Sequence, residues 1–172
     1  NTPTATLIER MKSPEFYPHH VDTVEHRETH ISDVFLAGDL VYKLKKPVDM
    51  GFLDFTTVEK RCWFCRREVE LNRRLCSGIY MSVEEIVWDG ENYVLAGPGE
   101  VVDHVVKMKR LDDGDNLQSM LAENRAEKDF LIRLTDVLVD FYRRSALSDD
   151  RESAGDLKQI LENCRENFTQ LQ

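Results

Sequence analysis

Apolar and polar residues alternate through the early part of the chain and later recur every three to four positions, a change of period that separates strands from helices. Val21–Glu28, Ser32–Leu36 and Leu40–Lys45 read as three strands, the last two joined by a tight turn at Gly38-Asp39. Pro47 has no N–H to donate and ends the pairing. Thr4–Met11 precedes the strands as a short helix, stopped by turn residues around Ser13-Pro14 and Pro18. Thr56-Thr57-Val58-Glu59 fits a capping box that opens a helix to about Cys76, with Gly78 as a natural stop. Val83–Trp88 and Tyr93–Ala96 read as a hairpin around Asp89-Gly90. After Gly97-Pro98-Gly99, a further strand is expected over Val101–Arg110.

From Asp112 onward the period is helical. Asn116 or Asp115 is placed to cap a short helix through Leu121, and Phe130, Leu134, Val137 and Phe141 recur at spacings of four, three and four. Ser148–Gly155 is a polar linker, and Leu157, Ile160, Leu161, Cys164, Phe168 and Leu171 line one face of a last helix. The sum is an α+β chain: an antiparallel sheet with one long helix over residues 1–111, then a helical subdomain over residues 112–172.

The 172 residues are 41% hydrophobic and 32% charged, ordinary for a soluble globular protein. A formal net charge of -9 argues against a nucleic-acid partner, which usually meets a basic face. Arg66, Arg67, Arg73 and Arg74 form a local exception, expected to pair with Glu70 and its neighbours on a solvated helix face. No apolar run has membrane length and no signal peptide is evident, so no membrane partner and a reducing cytoplasm are expected. Cys62 and Cys65 fall on the apolar stripe of the long helix, with no second Cys/His pair at ligand spacing. They are expected to be small buried thiols, and no metal is assigned.

Candidate chemistry centres on Lys43 and Glu68. Val41, Lys43 and Lys45 share one strand face, while Leu40, Tyr42 and Leu44 share the other. Phe64, Glu68, Leu71 and Leu75 form a helical stripe expected to point inward, so Glu68 needs a cation and Lys43 is the natural one. A strand lysine held by a helix carboxylate is how protein-kinase-like folds grip the α and β phosphates of ATP. There the residue two before the lysine covers the adenine and must be apolar. Val41 suits that place if Lys43 is the phosphate lysine; choosing Lys45 would set Lys43 against the adenine. Thr29-His30-Ile31-Ser32 occupies the position of a phosphate loop but lacks glycine. His30 and Ser32 are either phosphate contacts or, with more weight, turn-stabilising residues. His19-His20 is expected to be solvated, and Asp49 and Asp54 to serve the turn and the helix start.

Several runs carry a wider likeness: Glu28–Ser32, Phe35–Asp39, Val41–Pro47, Gly51–Phe55, Glu70–Leu75 and Val106–Arg110. They resemble a bacterial family whose members look like aminoglycoside phosphotransferases, many with a second, P-loop kinase-like domain. The likeness covers most of Phe16 to Arg144. It implies a protein-kinase-like N-terminal lobe followed by the start of the C-terminal lobe. Lys43 would be the phosphate lysine and Glu68 its partner, with Val34 and Val41 beside the adenine and Met108 and Lys109 on the hinge segment. ATP with Mg²⁺ is implied only for a complete parent protein, with an unknown hydroxyl compound as phosphoryl acceptor. The family's His-Gly-Asp catalytic loop has no counterpart, because no histidine follows His104. The resemblance therefore implies a chain inactive by itself, with no catalytic residue to assign. Its apolar surface would be covered by self-association or by the rest of the C-terminal lobe.

Overall fold

The computed structural model describes residues 4–145, with the last expected helix and the linker before it outside that range. The order is α1 (Thr4–Met11), β1 (Val24–Glu28), β2 (Ser32–Ala37), β3 (Leu40–Lys45), α2 (Val58–Arg73), β4 (Tyr80–Trp88), β5 (Tyr93–Leu95), β6 (Glu100–Lys109), α3 (Leu117–Ala122) and α4 (Lys128–Arg144). The fold is mixed α+β.

The strands form one six-stranded antiparallel sheet in the order β1-β2-β3-β6-β4-β5. β1, β2 and β3 are a meander, tightened by Gly38, whose φ of 61° suits the first residue after β2. β1 begins at Val24 rather than Val21. Val24 already pairs with Ala37, the last residue of β2, so residues before it have no ladder to join. Val21 packs instead into the core beside Tyr17.

The sheet buries both faces. On one, Phe35, Tyr42, Leu44, Ile86 and Val105 pack with Leu7, Met11, Phe16, Tyr17 and Val21 from the segment that precedes β1. That segment also draws in His19, whose Nε2 lies 3.0 Å from the Ala37 carbonyl and whose ring stacks on Tyr42. It is therefore not the solvated residue expected from the loop. On the other face, Cys65 and Val69 of α2 pack against Val106, flanked by Tyr80 and Val83.

α2 is capped by Thr57, whose hydroxyl accepts from Lys60 N at 3.3 Å. The expected capping box began one residue earlier, but Thr56 is already committed: its N–H and hydroxyl both donate to Asp54. Asp54 also pairs with Lys60, and Asp49 accepts from Gly51 N, so both aspartates serve the turn and helix start as expected. The inward stripe of α2 is Arg61, Cys65, Glu68 and Val69. Leu71 and Leu75, expected inside, are 41% and 46% exposed. Glu70 pairs with Arg67, while Arg73 turns away to donate to the Tyr80 and Met81 carbonyls.

The boundary between the two compact units falls between Ser119 and Met120, later than the expected break at Leu111. Residues 110–113 belong to the first unit because Arg110 N donates to Asp39 O at 2.8 Å and Arg27 of β1 forks onto Asp113. α3 is capped by Asn116, whose side-chain oxygen accepts from Ser119 N. In the second unit, Phe130, Leu134 and Phe141 of α4 are partly covered, whereas Val137, on the same expected stripe, is 52% exposed.

One core detail carries a prediction. Tyr42 is fully buried, and its hydroxyl has no hydrogen-bond partner among the described residues. An unmet buried hydroxyl costs about 1–3 kcal/mol. Tyr42→Phe is therefore expected to stabilise the protein, by roughly 1 kcal/mol in urea unfolding. A loss of stability would mean that a bound water satisfies the hydroxyl.

Candidate functional site

β3 lies in the middle of the sheet, between β2 and β6, so its alternation decides what faces α2. Val41 pairs with Leu36 on β2 and Met108 on β6; Lys43 pairs with Val34 and Val106. Lys43 thus stands in an apolar strip made by Val34, Val41, Val106 and Met108. α2 crosses this face, set there by Cys65 and Val69.

Glu68 sits one helical step from Cys65 and meets the strip. Its Oε1 accepts from Lys43 Nζ at 3.0 Å and its Oε2 from Lys45 Nζ at 2.6 Å. The two lysines differ in setting. Lys45 is 5% exposed at the side chain, with its ammonium 4.9 Å from the centre of the Phe55 ring, a cation–π distance. Lys43 is 29% exposed. Burial pushes the Glu68 carboxyl up, but hydrogen bonding and charge from Lys45, reinforced by Lys43, outweigh it and hold the group below the usual carboxylate range. Two ammonium groups on one carboxylate leave the cluster with a net charge of +1, in a chain whose total is -9.

Neighbouring groups are already paired. Arg61 of α2 forks onto Asp103 of β6, with Nε to Oδ1 at 2.9 Å and Nη2 to Oδ2 at 2.8 Å, and its Nη1 donates to Phe55 O. Cys65 Sγ lies 3.8 Å from His104 O and burial pushes its thiol up to about 12, so this cysteine is an inert core group. A cavity of about 460 Å³ opens where β3 ends, walled in part by Asp33, Lys45, Arg61 and Asp103. Its two buried carboxylates are engaged, Asp33 by His26 and Asp103 by Arg61.

Of the residues singled out in the sequence, Lys43, Glu68, Val34, Val41 and Met108 come together on this face. His30 is exposed at the β1–β2 turn. Ser32 is fully buried, and its backbone closes that turn: its carbonyl accepts from Thr29 N and Oγ1, and its N–H donates to Thr29 Oγ1. Lys109 is exposed, its amide donating to Ile79 O at 2.9 Å. Sequence reasoning missed the part played by Lys45. Strand alternation did place it on the correct face, but a choice between two lysines hid the arrangement in which both are used. It also missed Arg61–Asp103, whose partners are 42 positions apart and carry no local signal.

Among the described residues, no helix is long and apolar enough to cross a membrane. No family model matches the chain, and no solved structure matches it. The chain is 33% identical over 149 residues to an uncharacterized protein of Mycobacterium tuberculosis and, to the same extent, to one of Mycobacterium bovis. The match covers 86% of this chain but 28% of each relative, so the chain spans little more than a quarter of the length of the curated relatives it matches.

Proposed function

We propose that this chain carries the nucleotide-binding lobe of a kinase-like phosphotransferase, in which Lys43 takes the phosphates of ATP and Glu68 orients Lys43. The observation that carries the reading is the 3.0 Å contact between Lys43 on the third strand and Glu68 on the next helix, beside the apolar strip of Val34, Val41 and Met108. Protein kinases hold phosphates with a lysine on their third strand and a glutamate on the following helix. A purine would lie against the valines, and the partly open ammonium would reach its phosphates. The +1 cluster charge suits a polyphosphate. Mg²⁺ would neutralise charge on the phosphates. Among the described residues no three metal-binding side chains gather, so no metal ligand is assigned. Phosphoryl transfer to a hydroxyl belongs to the complete parent protein in this reading.

A second reading, a kinase-like domain that binds a partner without catalysis, is favoured by the Thr29–Ser32 turn. It contains no glycine, and the N–H groups of Thr29 and Ser32 are spent inside the turn rather than offered to a phosphate.

Calorimetric titration of MgATP into the chain and into Lys43→Ala, each shown folded by circular dichroism, tests the first reading. Binding is expected here or in a protein extended past Gln172, and Lys43→Ala is expected to weaken it about tenfold or more, the worth of a charge-assisted hydrogen bond. Absence of binding both here and in a protein extended past Gln172 would overturn it in favour of the second.

A further inference from the structure

We infer that Lys45 is a positioning residue: it holds Glu68, and with it α2, against the sheet without any ligand, leaving Lys43 free to engage an anion. The inference deepens the reading of Lys43 as the phosphate lysine and rests on it for its second half.

In an arrangement with one lysine and one glutamate, the incoming phosphate and the carboxylate compete for the same ammonium. When the lysine shifts toward the anion, the buried carboxylate loses its partner and the helix loses its anchor. Here the carboxylate oxygens are divided, one to each lysine. Lys45 makes the shorter contact, and its side chain is 5% exposed, so its ammonium is committed inward. It is fixed from a second side by the Phe55 ring. Phe55 is itself 2% exposed and packs edge-on against Phe64 of α2, with ring centres 4.8 Å apart. Lys45 is therefore joined to α2 twice without Lys43, directly through Glu68 and by way of Phe55 through Phe64. Lys43 has the open side and the smaller share of the carboxylate. Its departure leaves Glu68 paired, whereas the loss of Lys45 leaves Glu68 with a lysine that a ligand also needs.

The charge count points the same way. With both lysines the cluster is +1 and attracts an anion even while Glu68 is fully paired; without Lys45 it is neutral.

Hydrogen exchange across α2 in the ligand-free chain, compared for Lys45→Met, Lys43→Met and Lys45→Arg, separates the roles. Methionine keeps the apolar stem, and the peptides of β3 and β6 report whether the rest of the sheet stays intact. Lys45→Met is expected to speed exchange over Val58–Arg73 at least tenfold while β3 and β6 stay protected; Lys43→Met is expected to leave α2 as it is, and Lys45→Arg to restore protection. MgATP affinity should fall about tenfold in Lys45→Met and recover in Lys45→Arg. Unchanged α2 exchange in Lys45→Met, or equal loosening by Lys43→Met, would overturn the inference. If MgATP binds none of these proteins and no protein extended past Gln172, the nucleotide reading fails, and the exchange comparison still decides whether Lys45 anchors the helix.

Discussion

Replacing Arg61 by Met is expected to destabilise the protein by about 3–5 kcal/mol, the usual cost of removing one partner of a buried ion pair. The two side chains are 8% and 10% exposed, so solvent does little to screen them. Asp103 would keep one hydrogen bond, from His104 N at 2.8 Å, and would lose both arms of the guanidinium. The Phe55 and Thr56 carbonyls would lose a donor at the same time. Much of the cost is the charge left stranded, not the net worth of the pair, and this is testable. Adding Asp103→Leu to Arg61→Met should recover a large part of the loss, because a buried pair replaced by apolar groups of similar size is often neutral or better. A double-mutant cycle in urea, with the slope of each transition checked, measures the coupling. A loss below about 1 kcal/mol for Arg61→Met would show that water reaches Asp103 and replaces its partner.

That pair also marks how far the sequence could be read. Strand alternation put Val41, Lys43 and Lys45 on one face, and the structure keeps them there, because a central strand between two partners has no freedom to slip. Glu68 turns inward as expected and Phe64, half-buried, packs on Phe55, but Leu71 and Leu75 of the same expected stripe do not. Leu71 and Leu75 looked like core by their hydrophobicity. The face of α2 that meets the sheet instead carries Arg61, Cys65, Glu68 and Val69. Two of those four are charged, and their partners come from β3 and β6, so no periodicity of apolar residues along α2 could reveal them. Hydrophobic pattern locates a helix face when the neighbour is apolar; it fails where the neighbour is a strand lysine or aspartate. The same limit explains the segment before β1. Tyr17, His19 and Val21 cover the back of the sheet through contacts with β2 and β3, which no local signal in residues 13–23 announces.

Glu68→Gln is expected to cost about 3 kcal/mol, because it leaves the Lys45 ammonium buried with no compensating charge. The amide oxygen can still accept from one lysine, but its NH₂ faces the other, donor against donor. The effect should depend on pH in a definite sense. The Glu68 carboxyl lies below its ordinary value of 4.5 in the folded protein, so the unfolded chain takes up its proton first as acid is added. Its contribution is then fully present above about pH 4.5 and is lost as pH falls through the folded-state value. Wild type and Glu68→Gln should therefore differ most near neutrality and converge in acid, as followed by urea unfolding at several pH values. A difference that stays constant from neutrality into acid would mean that Glu68 contributes by packing alone. Lys45→Met on the Glu68→Gln background gives the complementary result. Removing the stranded cation should return part of the stability, whereas Lys43→Met, at the more open position, should return less. Such an asymmetry would follow from the 5% and 29% exposures of the two lysine side chains, since the penalty for an unpaired charge grows as water is excluded from it.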